Sequence, residues 1–336
     1  SIDVLGFAPG GVLLVGDGRA AQVVAIMTGD VKPAAPLAAK IEGFDAKLAG
    51  RLGVGPKDVE ILDLAVNPAS GRAYVAVRRQ TDKLPLVLTV DGSGRIEELP
   101  LKDVEHARIP LPKGEQAPVS KVTDVAWAGN RLLASARANE EFASKIFAAD
   151  GPLRHDAEGA LVSAETYHVA HGKWETKAPM SVLMPFDEGG RTYVVGAFSC
   201  TPVVKYPVDA IQAGAKVKGI SMIELGSGNR PIDMVTYVKD GKRQVLVNTF
   251  RFHHEKKPFG PSPFWAARFD ADLLAGQEQV NEKAVRRLQG DKPATDRIAV
   301  VEAYHGVAHL DLLDEKRALV VKATAAGFDL EPLALP

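Results

Sequence analysis

A hairpin pattern that returns six times constrains the fold of this chain more than any other feature. In each copy, an apolar residue, a small polar or charged residue and several apolar residues lead through a turn into a second apolar run. Gly, Asn or Asp lies in every turn, as tight hairpins require. The first runs contain Ile2-Asp3-Val4, Leu62-Asp63-Leu64, Thr123-Asp124-Val125, Met180-Ser181-Val182, Ile232-Asp233-Met234 and Ala308-His309-Leu310.

A third apolar run usually follows each hairpin, and a fourth often follows the third. Four antiparallel strands per unit, repeated around an axis, are typical of a β-propeller, whose closure leaves few exposed strand edges. We therefore predict an all-β fold, a six-bladed β-propeller of four-stranded antiparallel blades that spans residues 1–336 as a single domain. A pair of β-sandwiches is the alternative, but it gives no reason for one pattern to return six times.

Two stretches interrupt the strand pattern and predict short helices in insertions within or between blades. Ile41, Phe44, Leu48 and Leu52 would form one apolar face of a helix over residues 37–52, which Gly53 could terminate. Residues 271–288 show a weaker helical pattern. We expect both stretches to pack on the outside or the rim of the ring.

Charge and cysteine content exclude several classes of function. The 41 Lys and Arg residues nearly balance the 42 Asp and Glu residues, so no overall positive field favours nucleic acid. No apolar run approaches the ~20 residues that cross a bilayer, so the chain is not expected to span a membrane. The single cysteine, Cys200, allows no disulfide within the chain and no covalent haem attachment. One cysteine and a start at Ser1 favour a periplasmic or secreted protein over the alternative of a trimmed cytoplasmic one.

Polar residues recur near the start of the first strand in each copy, where a propeller would gather them at one mouth of its central channel. These residues are Asp3, Asp63, Asp124, Ser181, Asp233 and His309. The ends of the second strands would place Arg78, Arg137, Arg251 and Lys322 just outside them. The carboxylates could simply accept backbone N–H groups or pair with arginine, or they could hold a cation such as calcium.

Histidines cluster in the segments that this topology sends to the same face. A metal site could draw its ligands from His168, His171, Glu175, Cys200, Asp233, His253, His254, His305 and His309. Imidazole, carboxylate and thiolate groups together suit zinc or copper. The alternative is that each histidine is an ordinary surface or hydrogen-bonded residue.

The repeated strand pairs resemble the broad superfamily of six-bladed propellers, which includes NHL-type domains, gluconolactonase-like enzymes and strictosidine-synthase-like proteins. In gluconolactonase-like enzymes a divalent metal lies in the channel mouth, and the corresponding positions here are Asp3, Asp63, Asp124 and Asp233, with Ser181 and His309. We expect a propeller that binds a small-molecule ligand or a protein partner at this mouth without catalysis. The alternatives are a metal-dependent hydrolase of lactonase or esterase type and a copper-type redox accessory protein.

Overall fold

A computed structural model describes residues 1–200, 202–278, 283–290 and 292–336. The described residues form six small, mainly antiparallel sheets in a ring, which confirms the six-bladed β-propeller. Each of the six predicted hairpins supplies the two innermost strands of one blade. No helix in the described part of the chain has the length and apolar character needed to cross a bilayer.

The first three blades each contain four principal strands, ordered from the channel outwards. Blade 1 consists of Val4–Ala8, Val12–Asp17, Gln22–Met27 and His106–Pro110. Blade 2 consists of Val59–Val66, Ala73–Arg79, Leu84–Val90 and Ile96–Glu98. Blade 3 consists of Val119–Ala128, Arg131–Ala138, Ser144–Asp150 and Ala160–His168, and the last of these also pairs with Lys173–Glu175 and Lys216–Lys218.

The last three blades complete the ring, and the sixth has three strands. Blade 4 consists of Met180–Glu188, Arg191–Phe198, Pro202–Pro207, Ile220–Glu224 and the short Val285–Arg286. Blade 5 consists of Asn229–Lys239, Lys242–Arg251, Phe264–Asp270 and Ile298–Val300. Blade 6 consists of Val307–Leu312, Arg317–Thr324 and Gly327–Ala334. Leu288–Gln289 and Lys292–Pro293 form a separate two-stranded pair.

The helical predictions have different outcomes. Helix α1 spans Phe44–Leu52 and ends at Gly53, whose left-handed conformation (φ 66°) provides the expected C-cap. It is shorter than the predicted range because Ile41 instead pairs with Leu330 of blade 6. The second prediction is wrong where the structure describes it: Ala271–Leu274 forms a single 3-10 turn and Val285–Arg286 is a strand, while residues 279–282 lie outside the described residues.

The order of the blades around the ring differs from their order along the chain. Blade 2 is built between the third and fourth strands of blade 1, and it lies between blades 1 and 6. The chain then returns to add His106–Pro110 to the edge of blade 1 before it starts blade 3. The ring therefore runs 1, 3, 4, 5, 6, 2 and back to 1.

Aspartates on the innermost strands join neighbouring blades by accepting backbone N–H groups. Asp63 of blade 2 accepts the N–H of Leu5 in blade 1, at 2.6 Å. The other four bonds are Asp3 with Val122 (3.2 Å), Asp124 with Leu183 (2.7 Å), Asp233 with Leu310 (2.9 Å) and Asp311 with Val66 (2.7 Å). These five bonds follow the ring order. They support the interpretation that the aspartates accept backbone N–H groups over the one in which they hold a cation.

Candidate metal centre

The histidine-rich segments reach the face at which the innermost strands begin, here called the top face, but they lie at different distances from the channel. His168 ends the outermost strand of blade 3, whereas His309 lies on the innermost strand of blade 6. Two groups of potential metal ligands result in the described part of the chain: His168 with His171 and Glu175, and His309 with Asp63 and Asp233. The six histidines predicted for one mouth therefore do not form a single cluster, since His168 and His171 belong to the outer group and His309 to the inner one.

His168 is the buried centre of the outer group. Its side chain is 1% exposed, and its Nε2 lies 3.2 Å from Oε2 of Glu224, at the end of the fourth strand of blade 4. A carboxylate at that distance favours a proton on Nε2. His168 Nδ1 is buried and has no hydrogen-bond partner among the described residues. A buried imidazole nitrogen without a partner is unfavourable unless a further group or ion satisfies it.

Glu175 faces this unpartnered nitrogen. Its Oε1 accepts the N–H groups of Lys177 and Ala178 at 3.1 and 3.0 Å, and its Oε2 lies 3.7 Å from His168 Nδ1. Burial alone would raise the pKa of Glu175, but the two N–H groups outweigh it and lower the pKa, so that the group remains a carboxylate. Two ligands of a tetrahedral zinc ion would be about 3.4 Å apart, given metal–ligand distances of about 2.1 Å.

His171 supplies the third ligand and connects the group to solvent. Its exposed ring lies 3.9 Å from the His168 ring, centroid to centroid, and one nitrogen lies within 4.8 Å of the other two ligand atoms. Three protein ligands leave one tetrahedral position open. The residues present therefore fit a zinc-like ion, with Glu224 orienting His168 from behind.

A cavity of about 470 Å³ lies beside this group. It is lined by Arg137, Ala138, Asn139, Glu140, Glu141, Ala143, Thr176 and Lys177. Thr176 and Lys177 directly follow Glu175, and the N–H of Lys177 binds that carboxylate. A cavity of this size is in the range that holds small ligands.

The inner group lies on the innermost strands of blades 2, 5 and 6. His309 Nδ1 lies 3.7 Å from Asp63 Oδ1 and from Asp233 Oδ2. Burial, together with the charge of Asp233, raises the pKa of Asp63 to about 7. Burial would lower the pKa of His309, but the neighbouring aspartates outweigh it and raise the pKa. Both aspartates also accept backbone N–H groups of a neighbouring blade, so this group joins blades.

The predicted basic residues do not neutralise the channel aspartates. Arg78 pairs with Glu60 at 3.2 Å, and Lys322 approaches Glu331 at 3.7 Å. Arg137 is exposed beside the 470 Å³ cavity, and Arg251 donates from Nε to the Lys257 carbonyl at 3.1 Å. Backbone N–H groups and His309 instead face the channel aspartates, and burial raises the pKa of Asp63, Asp124 and Asp311.

The remaining predicted residues lie apart from both groups. Ser181 is within hydrogen-bonding distance (3.3 Å) of Ser199, and the Cys200 N–H donates to the Asn229 carbonyl at 2.8 Å. His253 and His254 lie in the loop after the second strand of blade 5, where His254 Nδ1 accepts the N–H of Phe259 (3.4 Å). His305 packs against Gly260, where an added Cβ would lie 2.3 Å from its ring. Within the described residues, neither ligand group includes these five.

Two residues that matter here were missed in the sequence analysis. Glu224 belongs to another blade from His168, and no local spacing links the two. Asp311 binds the N–H of Val66 and was passed over in favour of His309. Its setting, Leu310-Asp311-Leu312, repeats Leu62-Asp63-Leu64, which is a signal that could have identified it.

Comparison with known proteins adds no family assignment. No protein-family model and no curated protein sequence matches the chain. Among solved structures, the Drosophila semaphorin 1a extracellular domains 1–2 are similar over 97% of this chain and 84% of that chain, at 10% identity and a TM-score of 0.41.

Two further structures are similar in the same way. A plexin A4 extracellular region matches over 99% of this chain at 8% identity and a TM-score of 0.47, and this chain spans about half (50%) of its length. An α-L-arabinofuranosidase from Lactobacillus brevis matches over 79% of this chain and 88% of that chain, at 10% identity and a TM-score of 0.38. Because these identities and TM-scores are low, the blade assignment depends on the strand pairing described above. The six-bladed ring is established by that pairing, while the resemblance to NHL-type, gluconolactonase-like or strictosidine-synthase-like proteins stays a prediction.

Proposed function

We propose that this propeller binds a zinc-like metal ion on its top face and uses the adjoining cavity to bind a small ligand. The observation that carries the proposal is the buried, unpartnered Nδ1 of His168, which faces Oε2 of Glu175 at 3.7 Å while Glu224 lies against the opposite ring nitrogen. A carboxylate behind a metal-binding histidine orients the ring and strengthens the ligand. Two imidazoles and one carboxylate favour zinc over calcium, which prefers oxygen ligands.

The open fourth position indicates ligand binding in preference to a purely structural metal. When bound, a zinc ion there would act as a Lewis acid towards a ligand or water in the cavity. The metal-dependent hydrolase alternative would use this chemistry, and it stays a proposal. The copper-type alternative would need Cys200, which lies in neither ligand group of the described residues. A periplasmic or secreted location also stays a prediction.

Zinc titration of the untagged, chelator-treated protein tests the metal site. We expect one equivalent to bind by calorimetry and metal analysis. His171→Ala should weaken binding at least tenfold, because it removes an exposed ligand without opening the core. Glu224→Gln should weaken it by about tenfold, as outer carboxylate changes do at other sites.

The matched control is His155→Ala, since His155 is 58% exposed and lies outside both ligand groups. It should bind zinc like the wild type. Absence of stoichiometric zinc, or equal loss in His155→Ala and His171→Ala, would overturn the proposal. Circular dichroism and melting temperature confirm that each variant is folded.

A further inference from the structure

Two arginines on the top face share one aromatic ring. Arg251 ends the second strand of blade 5, and Arg287 follows the short strand Val285–Arg286 of blade 4. Their guanidinium carbons lie 5.7 and 5.6 Å from the centroid of the Phe259 ring. Arg287 also lies 5.0 Å from the Trp265 ring. Two like charges are thus held close together against aromatic surfaces.

Arg287 is unusual because it is only 5% exposed and has no acidic partner among the residues that the structure describes. Its Nε donates to the Leu225 carbonyl at 2.5 Å, while its two terminal nitrogens donate to none of the described residues. Neither Arg287 nor Arg251 forms an ion pair in the described part of the chain. Burial, followed by the charge of Arg251, lowers the pKa of Arg287 to about 10, so it is charged at neutral pH.

A glycine packs closely against the guanidinium, and further positive charge lies nearby. Gly226 faces Nη2 of Arg287, and a Cβ at that position would lie 3.1 Å from that nitrogen. The exposed loop beyond Arg251 carries Lys256 and Lys257, whose charges outnumber that of Glu255 beside them. A buried guanidinium without a counter-charge is costly, and a bound anion would offset that cost.

We propose that Arg251 and Arg287 form an anion-binding site for a carboxylate or phosphate group, with Phe259 and Trp265 as its walls. The planar fork of a guanidinium group matches the oxygen spacing of such anions. The backbone N–H of Arg287 donates to the carbonyl of Glu224 at 2.9 Å, so this site adjoins the metal centre. The site does not depend on the metal, since its geometry involves none of the three metal ligands.

The test titrates metal-free protein with inorganic phosphate, and separately with succinate, in a buffer without other oxyanions. We expect one equivalent of at least one probe to bind, and the tighter probe identifies the class of anion. Arg251→Gln should weaken binding at least about tenfold, because it removes one charge-assisted partner. Arg287→Lys keeps the charge but loses the planar fork, and should also weaken binding.

Arg243→Gln is the matched control. Arg243 is near the start of the strand that ends at Arg251, so it lies at the opposite face of the propeller. It is 4.2 Å from the centroid of the Phe186 ring and donates to a carbonyl. It should bind both probes like the wild type. The proposal is overturned if neither probe binds, if Arg251→Gln binds normally, or if Arg243→Gln loses binding equally. Anion binding that persists in His171→Ala separates this site from the metal centre.

Discussion

Individual aspartates hold the blades of this ring together, and their protonation controls how well they do so. Asp63 is 7% exposed and binds the N–H groups of Leu5 and Leu64. Its pKa of about 7 shows that burial and the nearby Asp233 outweigh those two donors. Burial likewise raises the pKa of Asp124 and the pKa of Asp311. The folded protein therefore retains protons that the unfolded chain releases above about pH 4.

The pH dependence of stability should reveal the protons that the folded protein retains. A group with a raised folded pKa stabilises the fold fully below its unfolded pKa, and that contribution is lost as the pH rises towards the folded pKa. Asp63 should therefore lower the free energy of unfolding by up to about 1.4 kcal/mol for each pH unit between pH 4 and 7. In Asp63→Asn this dependence should vanish, so the unfolding free energy of the variant relative to wild type should rise over that range. Urea unfolding at pH 4.5, 5.5, 6.5 and 7.5 measures it.

The matched control is Asp240→Asn, an exposed residue with positive φ in a hairpin turn, where asparagine is well tolerated. Its stability relative to wild type should not change over the same pH range. A difference between Asp63→Asn and wild type that is also constant with pH would mean that Asp63 is ionised throughout.

At the metal centre, sequence reasoning could identify ligands that are near one another in the chain but not the residue that orients them. His168, His171 and Glu175 lie within eight residues, and a strand pair folds Glu175 back beside the end of the outermost strand of blade 3. Glu224 lies in the next blade, so only the packing of the fourth strands of blades 3 and 4 brings it to His168. The predicted histidines do not form one cluster at the channel mouth, because chain topology assigns a residue to a face of the propeller but not to a distance from its axis.

At the scale of elements, apolar periodicity predicted α1 well because its buried face is continuous. Phe44, Leu48 and Leu52 pack into one core with Val66 of blade 2 and Leu330 of blade 6. The same spacing placed Ile41 on the helix, but its backbone instead exchanges two hydrogen bonds with Leu330, at 2.8 and 3.0 Å. A tertiary strand pairing thus overrides the local helical pattern at its first turn.

Phe44→Ala should show that the packing of α1 stabilises the contact between blades 2 and 6. The Phe44 side chain is fully buried (0% exposed), so its removal leaves a cavity and should lower the unfolding free energy by about 3–5 kcal/mol. Val238→Ala is the control, because Val238 is 64% exposed and should change stability by less than about 0.5 kcal/mol. Chemical denaturation of both variants measures the difference, and equal effects would mean that α1 is peripheral.

At the scale of the whole molecule, the ring was predictable but the order of its blades was not. Hairpin turns and apolar runs are local, so they identify six units. The placement of blade 2 between blades 1 and 6 depends on His106–Pro110 returning to Gln22–Met27, a pairing between strands that are far apart in sequence. As a result, the joint that closes the ring lies between blades 6 and 2, and it combines residues near both ends of the chain.

That joint uses backbone and side chains of residues 40–45 where blade 6 has no fourth strand. Asp329 accepts the N–H of Gly43 at 2.8 Å and pairs with Lys40 at 2.7 Å, while the Phe328 N–H donates to Asp45 at 3.0 Å. These contacts take the place of an outer strand along Gly327–Ala334. Together with the bond from the Val66 N–H to Asp311, they join blades 6 and 2 through side chains and one isolated bridge.

Ile41→Pro should therefore open the ring locally at this joint. Proline has no N–H, so it removes the bond from Ile41 to the Leu330 carbonyl, and Ile41→Val keeps that bond as the control. We expect hydrogen exchange at the amides of Phe328 and Leu330 to speed up at least about fivefold, since each backbone bond contributes roughly 1 kcal/mol. Leu133 in blade 3 should be unaffected. Equal acceleration at Leu133 would mean that the six blades open as one cooperative unit, with no weak joint between blades 6 and 2.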